Sequence, residues 1–142
     1  MNHHHKTSYL FVVSFIVFGC NQTSNTKQPD IYISKYKMEE ITQVIFEPSS
    51  YTFDTLNAGT PLKGSFVMKN IGRNILTIDS FSKACSCTTL DLPTRKIGIG
   101  DSVRVSFIIK LPSSKDYFVT PIMFYLNTKP FYRQYLVEGY IK

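Results

Sequence analysis

From Val103 to Lys110 the chain alternates in character: Val103, Val105, Phe107 and Ile109 are apolar, while Arg104, Ser106 and Lys110 between them are polar. Period two is the repeat of a β-strand, whose successive side chains point to opposite faces. A strand of this kind must lay one face on a core and leave the other wet, so it needs a sheet around it and a second layer beneath it.

The same pattern recurs along the chain. Val44 to Glu47 reads as a short strand stopped by Pro48, and Tyr51 to Asp54 as another, ended by the turn Asn57-Ala58-Gly59. Leu62 to Asn70 places Phe66 and Met68 on one face, with Lys63, Ser65 and Lys69 on the other. A turn follows at Asn70-Ile71-Gly72-Arg73-Asn74, where Gly72 is expected to supply a positive φ. Leu76 and Ile78 alternate with Thr77 and Asp79, and this strand runs on through Phe81. Gly98-Ile99-Gly100-Asp101 turns the chain into the Val103 strand. Phe118, Ile122, Phe124 and Leu126 form the buried set of the next strand, and Asn127 to Pro130 leads into a last one, Tyr132 to Ile141. No segment sustains an apolar helix period. About seven short strands with turn residues between them predict an all-β, immunoglobulin-like sandwich, with a barrel as the alternative.

The first twenty residues have a different character. Lys6 and three histidines precede an apolar run, Tyr9 to Phe18, that is too short for a membrane-spanning helix of about 20 residues but fits the core of a signal peptide. Val17-Phe18-Gly19-Cys20 resembles a bacterial lipobox, with the bulky Phe18 a departure from it. This implies cleavage before Cys20, whose sulfur would carry diacylglycerol. The expected organisation is a signal peptide over residues 1–19, an acylated Cys20 with a flexible tether over 20–40, and the sandwich over 41–142. Within the tether, Ile31 to Ile33 could begin a strand and Lys37 to Glu40 could form a helical turn.

Cleavage would remove His3, His4 and His5, the only histidines in the chain. The mature protein then lacks the commonest general base and metal ligand, which argues against Ser/His/Asp or Cys/His catalysis. No glycine-rich phosphate loop is present. The net charge of +6 is spread without a run of basic residues, unlike the clustered charge of a nucleic-acid binder. No cofactor is expected.

From about Thr42 to Ile141 the chain resembles a bacterial family of unknown function, often lipoproteins of Gram-negative bacteria, with a signature close to Cys-Gly-Cys-Thr-Thr. That family is similar to the Hydin and abnormal-spindle class of immunoglobulin-like domains. The matching landmarks are Phe53, Gly59, Phe66 with Asn70 and Gly72, Leu76 with Ile78, Cys85-Ser86-Cys87-Thr88-Thr89, Gly100-Asp101, Asn127 and Gly139. Ser86 replaces the glycine between the cysteines, Ile99 stands where proline is usual, and Thr52-Phe53-Asp54 departs from an early Asp-Phe-Gly. The resemblance implies a sandwich and a location in the cell envelope of a Gram-negative bacterium, periplasmic or at the cell surface. It implies no activity.

Cys85 and Cys87 are the chemically distinctive pair. In a regular strand they would share a face with Cα atoms about 6.5 Å apart, close to the upper limit for a disulfide, so a bridge would require a bend. Four readings stand: buried free thiols, a local disulfide, a soft-metal pair for Cu(I), and thiol–disulfide chemistry with Lys83 as the nearby charge. Zinc fits poorly without histidine. A second candidate surface is the tyrosine-rich face formed by Tyr117, Met123 and Tyr125, with Tyr132 and Tyr140 in the following strand. The expected function is a membrane-anchored, non-catalytic binding or assembly module. Its expected contacts are membrane lipid through Cys20 and a protein or envelope polymer, with no nucleic acid. The alternative is a thiol redox or copper-handling protein using Cys85 and Cys87.

Overall fold

A computed structural model describes residues 36–142. Nine strands follow a short 3-10 turn at Met38–Glu40: β1 (Val44–Glu47), β2 (Tyr51–Leu56), β3 (Pro61–Asn70), β4 (Leu76–Lys83), β5 (Thr88–Asp91), β6 (Lys96–Ile97), β7 (Ser102–Lys110), β8 (Tyr117–Leu126) and β9 (Tyr132–Ile141). They form two sheets, in the order β1-β3-β7-β5 and β2-β9-β8-β4-β6. Every connection except β8–β9 carries the chain from one sheet to the other. The fold is a sandwich with open edges, so the barrel alternative falls.

The alternation decides what faces inward. Phe66 and Met68 of β3 and Val105, Phe107 and Ile109 of β7 meet Ile78 of β4, Ile122 and Phe124 of β8, and Tyr135 and Val137 of β9, all of them buried. Aromatic edges fill the space between the sheets. Phe46 packs edge-on against Phe66 and Phe124, and Phe66 stacks on Tyr135 at 3.8 Å between ring centroids. Such pairs add to the area they bury.

Three expectations change. The two strands beyond the expected seven are β5, whose Thr-Thr-Leu-Asp holds a single apolar residue, and β6, with only two residues. Gly72 does not take a positive φ; Gly59 and Gly100 do. Gly72 is needed for a different reason: a Cβ there would collide with the Thr42 hydroxyl and the Gln43 amide, so the β3–β4 turn presses directly on the segment that enters β1. Residues 36–40, read as part of the tether, belong to the domain. The Tyr36 hydroxyl donates to Asp79 at 2.6 Å, and Asn74 Nδ2 donates to the Glu39 carbonyl at 2.7 Å.

Tyr135 is fully buried, and its hydroxyl finds no hydrogen-bond partner among the described residues. Burial, with Tyr51 nearby, pushes its phenol up to about 12. The folded-state value lies above the unfolded one, so stability is intact below pH 10 and falls as pH rises toward 12. Tyr135→Phe keeps the stack and removes the stranded hydroxyl. It should raise stability at neutral pH by about 1 kcal/mol and reduce the alkaline loss, measured by urea unfolding at pH 7 and pH 11. Equal stability of the two proteins at both pH values would show that the hydroxyl is satisfied after all.

Candidate functional site

Registers place the loops at two ends. β3, β6 and β8 end where β1, β4, β7 and β9 begin, because Asn70 pairs with Val44, Lys69 with Ser102, Ile78 with Leu126, Leu76 with Ile97 and Tyr125 with Tyr132. That end receives the chain from residue 36. The opposite end carries the β4–β5 connection, the β7–β8 loop and the last residue of β9.

Cys85 and Cys87 lie in the β4–β5 connection, a turn and not a strand, where the chain crosses from one sheet to the other. The turn brings their Cα atoms to 5.1 Å, inside the range for a disulfide, and the two sulfurs are bonded. Both residues are half-buried, and Cys87 packs against the core. The free-thiol reading and the strand geometry behind it are therefore corrected: a bend supplies the closeness that an extended strand denies. Closing so small a loop removes little chain entropy, about 1.5 kcal/mol, so the bridge shapes the corner more than it holds the fold. Lys83 reaches across the turn and donates from Nζ to the Thr88 carbonyl at 2.6 Å, and Lys110 N donates to the Cys87 carbonyl at 3.0 Å. Among the described residues no three His, Cys, Asp or Glu side chains converge as metal ligands would.

The other end is organised by two buried asparagines. Asn70 Oδ1 accepts from the Thr42 hydroxyl at 2.9 Å and from the Gly72 amide at 3.1 Å. Its Nδ2 faces the carbonyls of Asn74, Gly98 and Ile97 at 2.8, 3.0 and 3.1 Å, so two hydrogens serve three acceptors. Asn127 Oδ1 accepts from the Thr77 amide at 2.7 Å, and its Nδ2 donates to the carbonyls of Glu40 and Ile75. Asn74 completes the set, donating to the carbonyls of Glu39 and Ile41. Side-chain amides thus do the work of a missing sheet ladder, tying the entering segment and the β3–β4 and β6–β7 loops together. Shallow clefts of ≈ 440 and ≈ 640 Å³ flank the Met38–Glu40 turn. The family landmarks pointed to Asn70 and Asn127, but their partners lie too far along the chain to be read from it.

The tyrosine face forms as the alternation requires. Tyr117, Met123 and Tyr125 point outward from β8, and register sets Tyr117 beside Tyr140, Met123 beside Gln134 and Tyr125 beside Tyr132. The Tyr117 and Tyr140 rings stand edge-on at 5.2 Å. The Tyr117 hydroxyl donates to Glu138 at 2.6 Å, and that bond to a carboxylate holds its phenol above the usual value. Val119, Pro121 and Leu136, not singled out from sequence, fill the ground between the tyrosine pairs. Strand parity in β9 was the signal that could have found Leu136. Cys20, the expected signal peptide over residues 1–19 and Ile31 to Ile33 lie outside the described residues.

This geometry can be set beside known proteins. Residues 44–141 match a family described as a protein of unknown function, DUF1573. The chain belongs to the DUF1573 family. That match takes in all nine strands of this DUF1573 domain. Among solved structures, a protein of unknown function from Porphyromonas gingivalis W83 is similar, at 14% identity and a TM-score of 0.57. The alignment covers 70% of this chain and 46% of that one, so the DUF1573 chain spans about half of its length. The ASH/PapD-like domain 7 of human CEP192 is similar at 12% identity and a TM-score of 0.57, covering 76% of this chain and 91% of that one. At such identities the likeness speaks for the fold alone, an immunoglobulin-like, PapD-like sandwich. No curated protein sequence matches this chain.

Proposed function

We propose that the protein is a lipid-anchored component of a Gram-negative cell envelope, periplasmic or at the cell surface. In this reading its sandwich is a non-catalytic module that binds a protein or envelope polymer through the outer face of β8 and β9. The observation that carries the binding role is the pairing of Tyr117 with Tyr140 and of Tyr125 with Tyr132 at the two ends of one hairpin face. Tyrosine offers a large, rigid contact area with a polar tip, and aliphatic residues lie between the pairs. The Val17-Phe18-Gly19-Cys20 pattern supports the anchor, and no helix among the described residues is long and apolar enough to cross a membrane.

Two variants test the two halves separately. Cys20→Ser should lose the lipid mass and leave the membrane fraction; a variant that stays there defeats the anchor. Tyr132→Ser combined with Tyr140→Ser alters exposed side chains and should change stability little. It should weaken capture of a specific partner from native membranes at least about tenfold. Wild-type protein that repeatedly captures nothing specific would count against the binding role.

A further inference from the structure

Four large aliphatic side chains stand in water at the end where the chain enters the domain: Met38 (74% exposed), Ile71 (47%), Ile75 (54%) and Ile99 (62%). They come from three separate segments, the Met38–Glu40 turn, the β3–β4 loop and the β6–β7 loop. The remaining large exposed apolar side chains among the described residues lie on strands: Ile108 on β7, and Tyr117, Val119, Tyr132 and Tyr140 on β8 and β9. The end is therefore distinct in chemistry, aliphatic where the sheet face is aromatic.

A slack loop could hide an isoleucine by folding down onto the sandwich. These loops are held. Asn127 fixes the carbonyls of Glu40 and Ile75, Asn70 those of Asn74 and Gly98, and Asn74 that of Glu39. Exposed aliphatic side chains on clamped backbone form a platform whose ordering cost is met before anything binds. The place of this platform says what it meets. The chain enters the domain at this end, and from Cys20 to Tyr36 it reaches at most about 55 Å. An anchor on Cys20 thus acts on this end first, and it converts a weak contact with the bilayer into an intramolecular one. Arg73 and Lys129 line the clefts beside the tips, where phosphate headgroups would lie, but Glu39 and Glu40 line them too, so apolar insertion rather than electrostatic attraction carries the contact.

We propose that this end is a lipid-docking tip: Met38, Ile71, Ile75 and Ile99 enter the headgroup–acyl boundary of the membrane that holds Cys20. The sandwich then stands on the bilayer with the Cys85–Cys87 corner outermost and the β8–β9 face open to the side. This inference rests on the lipid-anchor reading of Cys20, and the experiment separates the two.

The full-length acylated protein is reconstituted in phosphatidylethanolamine–phosphatidylglycerol vesicles. With Cys20 acylated and Cys85 bonded to Cys87, an introduced cysteine is the one free thiol for a nitroxide label. Labels at Ile75→Cys and Ile99→Cys should show a several-fold higher ratio of oxygen to water-soluble nickel-complex accessibility on vesicles than a label at Ser113→Cys, in the β7–β8 loop of the opposite end. Aqueous accessibility at all three positions, with the lipid mass present on Cys20, overturns the tip and leaves the anchor standing. Absence of lipid mass and of vesicle binding overturns both. Magnetic coupling between tip labels of two molecules, with low accessibility to both reagents, would make the end a self-association surface and also overturns the proposal.

Discussion

Asn70→Asp should destabilise the domain by about 4 kcal/mol at neutral pH, among the largest effects a single substitution can have here. The change is one of the smallest in shape. It puts an oxygen where Nδ2 now donates to the carbonyls of Asn74, Ile97 and Gly98, at a site with no exposed surface. One carboxylate oxygen keeps Thr42 and Gly72 as donors, but the other faces three carbonyls with no hydrogen to offer them. The folded state favours the protonated form, so the folded pKa is raised above the unfolded one. The variant should therefore recover stability as pH falls from neutral toward about 4. Urea unfolding at pH 7 and pH 4.5 reads both parts. A variant within about 1 kcal/mol of wild type at pH 7 would mean that the loops do not depend on this amide.

Gly139→Ala should cost about 3 kcal/mol and loosen β2 selectively. Replacing glycine by alanine in extended backbone normally stabilises a protein, by about 0.4–1 kcal/mol, through the unfolded chain. Here the sign reverses because a Cβ on Gly139 would fall on the Phe53 carbonyl oxygen and against the Phe53 ring. The carbonyl is backbone and cannot rotate away, so β2 must retreat from β9, its only strand partner among the described residues. Hydrogen exchange should show the amides of Tyr51–Leu56 losing protection while those of β8 keep theirs. Unchanged protection in β2 would show that the pairing tolerates the methyl group.

Both sites bear on how much of the molecule could be read in advance. Alternation placed β3, β4, β7, β8 and β9 because each buries one face for several consecutive residues, and the inward set of β8 follows from it directly. β6 escaped because two residues carry no period, and β5 because Leu90 is the lone apolar residue among Thr88, Thr89 and Asp91, whereas β1, equally short, is Val-Ile-Phe stopped by Pro48. The Cys85–Cys87 pair was legible as chemistry and misplaced as geometry, since nothing local distinguishes a strand from a sheet-crossing turn at Cys85-Ser86-Cys87. The tyrosine face followed from parity. The exposed aliphatic end did not: Ile71, Ile75 and Ile99 look like stray apolar residues in turns until Asn70 and Asn127 bring their loops together.

The order of the strands also sets a timetable for folding. Because every connection except β8–β9 leaves its sheet, almost no strand can pair with the one made just before it. Among the described strands the one hairpin, β8–β9, comes last in chain order, and β2 waits for β9 before it has a sheet neighbour. A chain emerging amino end first must therefore present nearly the whole domain before its core can close, which would suit the export that the proposed lipid anchor requires. Pairing dominated by such distant partners places folding in the millisecond-to-second range and leaves the early strands open to misassociation until the final residues arrive.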